Sequence, residues 1–435
     1  MNMSSPNRFS LAATTAALAL LLSSPLAHAD TLTWATSAAG TWDTTTTSAW
    51  NPGPVAWSTA STDVAAFGGS AATYTVAIAN NTAISAGGIT VSTGNNVTIN
   101  GGTGSTFTLS GSAIDGAGNL TFGLAVAGSS GLVKSNAGIL RFKATSTYTG
   151  DTTFSGGQIT LEANNGIGSS GSLAITGAST LSLQGKNQSV AGLSGASTAI
   201  IRTTSGNATS TLTITGGSGT FAGTLTNSGV GALLAITNSG GSLTLSGTNT
   251  YNGATIVSGG TLTLGSNLAN TASVTVSGGT LASNVAAVNL GAGAFSLTSG
   301  ALSANGASIG TFTIAANQAF SATLGTLNFT LGASNTSDQI IGSGTGALSL
   351  TNLTLALNGS TSVTGSYTLF TGFGGTHTIS GITITGLDSG YTGILDNNGI
   401  LTVSFSAVPE PSTWALLIGV TALGFTAVRR RTVRA

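Results

Sequence analysis

Residues 131–168 and 234–265 of this chain repeat one another without a gap, 103 positions apart. Leu140 matches Leu243, Tyr148 matches Tyr251, Gly150 matches Gly253, Gly156-Gly157 matches Gly259-Gly260, and Leu161 matches Leu264. A shorter echo follows the second copy. Ser258-Gly259-Gly260-Thr261-Leu262 returns as Ser277-Gly278-Gly279-Thr280-Leu281, 19 positions on, and more loosely as Thr298-Ser299-Gly300-Ala301-Leu302, a further 21 on. A unit this short cannot bury an apolar face alone, so its copies must stack on one another. Alternation at Leu243 and Leu245, Leu262 and Leu264, and Val274 and Val276 has the period of a strand. About twenty residues per copy suit one coil of a parallel β-solenoid, whose strands stack at ~4.8 Å. The Gly-Gly pairs fall where the chain must turn a corner with positive φ. Stacking puts like residues in register, so Thr, Asn and small apolar side chains can form ladders. The spacing predicts roughly a dozen coils over residues 70–320.

Composition agrees with short strands and frequent turns. Only 5% of the 435 residues are charged, whereas 40% are hydrophobic and 65 are Gly. A disordered chain would combine low hydrophobicity with high charge, and this one has neither. The formal net charge is zero, but half of the ten basic residues sit near the ends. Between residues 30 and 411, ten acids face five bases, leaving a net charge of −5. No basic stripe is present to meet phosphates, which argues against nucleic acid as a partner. The absence of Cys excludes disulfides and thiolate metal sites.

Both ends read as addressed to a membrane. Arg8 precedes the uncharged apolar stretch Leu11 to Leu22, and Ala27-His28-Ala29 forms a small-x-small cleavage site. This predicts a signal peptide over residues 1–29, removed by signal peptidase to leave Asp30 first; an uncleaved anchor helix is the other reading. At the far end, Val408-Pro409-Glu410-Pro411-Ser412 precedes the uncharged run Thr413 to Val428, followed by Arg429, Arg430, Arg431 and Arg434. Sixteen helical residues span about 24 Å, a gap to the bilayer core that snorkelling arginines and local thinning can close. The arginines place that end in the cytoplasm and the body outside. Pro409 and Pro411 cannot continue the helix upstream, so Pro409-Glu410-Pro411 should be an extended handle.

The order Pro-Glu-Pro, short apolar helix, Arg cluster resembles the PEP-CTERM sorting signal of Gram-negative bacteria. The resemblance implies recognition by an exosortase, a membrane transpeptidase, with cleavage near Pro409-Glu410-Pro411, a transient stay in the inner membrane, and an association with exopolysaccharide and biofilm matrix. These residues would be recognised in a substrate and would not be catalytic. A simple tail anchor is the plainer alternative. The repeats, with Asn249-Thr250-Tyr251-Asn252-Gly253 and the Ser258–Leu264 segment, resemble the autotransporter-associated β-strand repeat. That resemblance carries the repeat and not the autotransporter export route, which uses a membrane barrel of about a dozen strands.

The chemistry-bearing residues are sparse. Trp34, Trp42, Trp50 and Trp57 fall in 24 residues. They fit either a cap packed on the first coil or a row of indoles for glycan stacking. His377 has no titratable neighbour in sequence and reads as a solvated turn residue. Asp388 and Asp396 form a candidate carboxylate pair. The Asp115–Asn119 segment and Asp338 are candidate calcium ligands, although turn chemistry explains Asp-Gly and Gly-Asn equally well. No clustered acid and base suggests catalysis, and no cofactor or metal is expected.

The expected fold is all-β: a right-handed parallel β-helix (solenoid) with β caps, an N-terminal signal helix and a C-terminal transmembrane helix. The divisions are 1–29 signal peptide, 30–69 Trp-rich cap, 70–320 solenoid, 321–406 C-terminal β cap with a bulge or turn at Thr351-Asn352, and 407–435 sorting segment. The expected function is that of an exported structural or adhesive surface protein. A polysaccharide-binding or polysaccharide-cleaving β-helix protein is the alternative.

Overall fold

The computed structural model describes residues 29–406, apart from positions 37, 46–48, 52–55, 59–61, 269, 307, 360 and 363. The two terminal helices expected from sequence lie outside these residues. The fold is all-β and solenoidal; a 3-10 turn, Ala333–Asn335, is the one helical element among the described residues. The chain divides into two compact units, residues 1–171 and 172–435.

In the first unit, strands Thr73–Ile78, Asn96–Gly101, Asn119–Phe122, Ile139–Phe142 and Gln158–Leu161 stack in parallel. Thr73 faces Asn96, 23 positions on, and Ile139 faces Gln158, 19 positions on. Register follows from which side chains are apolar, because a one-residue slip would turn each inward residue to solvent. The inward columns are therefore Tyr74, Val97, Leu120, Leu140, Ile159 and Val76, Ile99, Phe122, Phe142, Leu161, all buried. Phe122 and Phe142 stack with centroids 5.6 Å apart. Outside, the register places amides and hydroxyls one above another. Asn96 Nδ2 donates to Thr73 Oγ1 (3.2 Å), Asn119 Nδ2 donates to Asn96 Oδ1 (2.6 Å), and Ile139 N donates to Asn119 Oδ1 (2.8 Å).

The second unit follows the same rule over more coils. Leu243, Leu262, Leu281, Leu302, Leu327 and Leu355 form one buried column, which ends at half-buried Ile384. Beside it on the outer surface run Ser242, Thr261, Thr280, Ala301, Thr326, Thr354 and Thr383. The pairing of Thr261 with Thr280 and of Thr280 with Ala301 reproduces the 19- and 21-residue echoes of the sequence. Coils then lengthen: Thr326 faces Thr354, 28 positions on, and Thr354 faces Thr383, 29 positions on. Parallel coils thus lie on both sides of residue 320, with Asn352 at φ 52° in the turn between two strands. The unit also holds an antiparallel meander, with Ile400–Phe405 between Gly365–Thr368 and Tyr391–Leu395.

Corners are made by residues that tolerate positive φ. Among the described residues, seven of the nine non-glycine residues with positive φ are Asn, whose side chain favours this region, which ties the Asn content to turn geometry. Gly157 (φ 68°) and Gly260 (φ 62°) occupy the same corner of the two repeat copies. A Cβ at Gly260 would strike the carbonyl oxygen of Gly241 on the coil below, and one at Gly157 the carbonyl of Gly138. Gly260→Ala is therefore expected to lose roughly 1–3 kcal/mol of stability. A fall in the urea unfolding midpoint checks this, and an unchanged midpoint would show that the corner relaxes freely.

Candidate functional site

The residues expected to be read by a sorting enzyme, Pro409, Glu410 and Pro411, lie outside the described residues, as do Arg429, Arg430, Arg431 and Arg434. The structure shows what precedes them. The described chain runs out of Ile400–Phe405, the central strand of the meander.

The four tryptophans meet in the first unit. Trp34 and Trp42 end the short strands Thr31–Trp34 and Gly40–Trp42, and Trp50 begins Trp50–Asn51. Their relative exposures are 5% for Trp34, 0% for Trp42, and 1% for Trp50 and Trp57. Ring centroids lie 5.1 Å apart for Trp34 and Trp50, 5.1 Å for Trp42 and Trp50, and 4.9 Å for Trp42 and Trp57. Phe67 and Phe107 complete the cluster around Trp42. Glycan stacking needs an exposed ring face, and these indoles are turned inward, where their large area is removed from water. Trp57 Nε1 donates to Ser85 O (2.7 Å) and Trp34 Nε1 to Ala38 O (3.2 Å), so two of the ring N–H groups are also held by backbone.

Asp388 and Asp396 lie on either side of the strand Tyr391–Leu395, and the other candidate carboxylates are engaged by their own surroundings. Asp338 is 1% exposed, and its two oxygens accept N–H bonds from Gly310 (2.6 Å) and Thr330 (2.7 Å). Burial pushes its carboxyl up, while the two N–H donors act in the opposite direction. It ties three stretches of backbone together, and its oxygens are already engaged. Asp115 accepts from Ser135 Oγ (2.6 Å) and Asn136 Nδ2 (2.9 Å), and these two bonds hold its carboxyl below the usual range. Asp396 accepts from Asn398 N (2.9 Å) and Ile400 N (2.8 Å), which closes the turn it sits in. Among the described residues no group of three or more His, Cys, Asp or Glu could hold a metal.

Two features were not legible as sites. His377 is half-buried and lies in a strand, not in a turn. It opens the strand His377–Ser380 and takes the last position of the inward column Leu212, Ile236, Thr255, Val274, Phe295, Phe320, Leu348. Lys134 is 2% exposed and points inward, donating to the carbonyls of Asn136 (2.5 Å) and Gly156 (2.8 Å). Asn238 serves the second repeat copy in the same way, donating to Gly241 O (2.9 Å) and Gly259 O (3.0 Å). Both satisfy corner carbonyls that stacking removes from water. The 103-residue offset pairs Gly156 with Gly259 but Lys134 with Thr237, so the shared role of Lys134 and Asn238, one position further on, was hidden in the sequence.

One open surface is neutral. A shallow groove of about 450 Å³ in the second unit is lined by Ser197, Thr224, Ser246, Thr248, Asn249 and Asn267, among others, and by no charged residue. It offers hydrogen bonds to a neutral partner and no acid or base for a reaction.

Comparison with known families accounts for two parts of the chain. Residues 407–431 match the PEP-CTERM protein-sorting motif. Residues 132–162 and 238–264 match the passenger-associated-transport-repeat. Both repeat segments enclose a buried tyrosine in the same bond: Tyr148 to Thr152 and Tyr251 to Thr255, each 2.7 Å between hydroxyls. No curated protein matches the chain.

Proposed function

From a chain that carries a PEP-CTERM protein-sorting motif together with β-solenoid coils of passenger-associated-transport repeats, and is thereby an exported substrate of exosortase-type sorting, we infer a structural or adhesive protein of the cell surface or extracellular matrix. The observation that carries this reading is the pairing of a sorting motif with coils that present uncharged Ser, Thr and Asn columns; the acid and bases that meet among the described residues, Glu162 with Arg141 (3.7 Å) and Lys143 (3.9 Å), neutralise one another as surface ion pairs. A solenoid whose coils hydrogen-bond their neighbours through parallel ladders is a continuous display element. On this reading signal peptidase acts at Ala29, the Arg429–Arg434 cluster orients the tail in the inner membrane, and the exosortase cuts near Pro409-Glu410-Pro411. The body then joins the outer envelope or an exopolysaccharide matrix, and the molecule is not an enzyme. The hydroxyl columns favour a second reading, in which the same faces bind a neutral polysaccharide.

Intact mass and C-terminal peptide mapping of the protein from the envelope and medium of its host test the first reading. A C-terminus near Pro409–Ser412 is the expected result. A retained Arg429–Ala435 tail in the membrane fraction would overturn it and leave a tail-anchored protein.

A further inference from the structure

We propose that the last solenoid coil is a β-strand slot for the chain's own sorting handle, residues 407–411. The proposal rests on the sorting reading above for its purpose, and on the geometry of the second unit for its place. A groove of about 360 Å³ is lined by Ile382, Ile384 and Leu387 from the last coil and by Tyr391 and Gly393 from the meander. Each wall has an unused edge. Among the described residues, Thr383–Thr385 pairs only with Thr354–Gly359, and Tyr391–Leu395 only with Ile400–Phe405. Thr383 N donates back to Leu353 O (2.9 Å). Alternate residues of a strand face opposite ways, so the N–H and C=O of Ile384 face away from the preceding coil. Asp396 N donates to Ile400 O (3.0 Å), and the same alternation turns the backbone of Gly393 away from Ile400–Phe405.

Open edges of this kind take an added strand, and proteins guard them with Lys, Pro or a bulge. Neither Thr383–Thr385 nor Tyr391–Leu395 holds a charged residue or a proline. Ile382, Ile384 and Leu387 are only half-buried, whereas Leu355, the previous member of the column that Ile384 ends, is fully buried. The slot is thus apolar on its floor and unpaired along its rim.

The occupant follows from where the chain goes next. Ser406 N donates to Gly390 O (2.7 Å), so the chain leaves the meander beside Tyr391, at the mouth of the groove. The sorting motif begins one residue later, at 407. Five extended residues reach about 17 Å, which matches the wall formed by residues 382–386. A segment tethered this closely has a roughly millimolar effective concentration, an advantage over any free strand. Entering from the turn 386–390, it runs antiparallel to Thr383–Thr385. Its sequence suits one edge and not two. Pro409 and Pro411 are two apart, so both missing N–H groups lie on one side, while Val408 and Glu410 keep theirs on the other. The complete side pairs with Ile384, and the proline side ends the sheet. The handle is then held extended against the body, and a sorting enzyme has to lift it off before cutting.

Hydrogen exchange of the full chain in detergent micelles tests this. The amides of Val408 and Glu410 are expected to exchange about tenfold more slowly than in the free peptide 406–412, the size of one or two backbone bonds. Ile384→Pro removes a donor from the open edge alone, because Thr383 and Thr385 face the other way. It should return both amides to the peptide rate, while Leu262 and Leu264 stay protected and report an intact fold. Val408→Pro changes only the handle and should free Glu410 in the same way. Peptide-rate exchange in the unaltered chain, or protection of Glu410 that persists in V408P, would overturn the slot. Protection that disappears on dilution would overturn it as well, and would give the edge to a second copy of the chain. These readouts need no sorting enzyme. A handle that is protected but keeps its Arg429–Ala435 tail in the host sinks the sorting reading alone, and one that is cut in the host but exchanges freely sinks the slot alone.

Discussion

Replacing Trp42 with alanine is expected to cost about 3–5 kcal/mol of stability, the range for emptying a buried indole site. Trp42 is fully buried and is the hub of its cluster, in ring contact with Trp50, Trp57, Phe67 and Phe107. Its neighbours come from short strands and turns with few backbone pairs of their own. Trp50–Asn51 contributes two residues and pairs only with Thr31–Trp34 among the described residues. Phe67 and Phe107, by contrast, stand on strands fixed in parallel ladders and cannot follow far into the void, so the transfer loss and the cavity term should both be felt. The measurement is urea unfolding of the Trp42→Ala chain followed by near-ultraviolet circular dichroism, which reports packed indoles. A loss below about 1 kcal/mol would place the indole at the surface and bring back the glycan-stacking reading of Trp34, Trp42, Trp50 and Trp57.

How much could be read in advance depended on coil length. Where coils are 19 to 21 residues long, residue identity and register coincide. Ser-Gly-Gly-Thr-Leu at 258–262 and 277–281 therefore announced the pairing of Leu262 with Leu281. Where coils stretch to 28 or 29 residues, the added length holds further elements, such as the 3-10 turn Ala333–Asn335 and the meander strand Gly365–Thr368. Repeat matching then fails although Leu327, Leu355 and Ile384 still stack. The direction of a polar side chain was less legible still. Strand alternation puts Thr255, Asn238 and Lys134 on the inner face with Val and Leu, yet each reads as a surface residue by type. Asn238 and Lys134 lie inside because a solenoid corner turns carbonyl groups inward, and a donor beside them satisfies what Leu would leave unpaired, whereas the Thr255 hydroxyl meets that of buried Tyr251. The tryptophans show the same limit. Four indoles in a short span announce a cluster, but whether the rings face in or out depends on strands such as Val64–Phe67 and Thr106–Asp115, which bring Phe67 and Phe107 from later in the chain. The sorting motif is the opposite case. Its features are read in a line by another protein, so order along the chain is enough to reveal it.

The stability of the chain is expected to rise between pH 8 and pH 10.5 through Lys134, by up to about 3 kcal/mol. The Lys134 amine is buried among carbonyls, and loss of hydration pushes its pKa down to about 8 from 10.5, although the Asp115 carboxylate acts in the opposite direction. An unfolded chain keeps the proton up to 10.5. Between the two values the unfolded state binds more protons than the folded one, so stability climbs with pH across that window. Below pH 8 the folded protein carries the full cost of a buried charge. The neutral amine above it still has two hydrogens to donate to Asn136 O and Gly156 O. Lys134→Met removes both the charge and the donors. At pH 7 the two effects oppose each other, so the informative quantity is the slope of the wild-type minus variant difference. That difference should move toward the wild type by about 3 kcal/mol from pH 7 to pH 10.5. Tyr148 and Tyr251, which burial pushes up to about 12, titrate in both chains and cancel in it. Urea unfolding of the two chains at pH 7, 8.5 and 10 gives the slope. A difference independent of pH would mean that water reaches the Lys134 amine and that the corner is not sealed. A slope of the expected sign would show that this coil accepts a buried cation in order to satisfy two carbonyls, the task that Asn238 performs without charge in the second repeat copy.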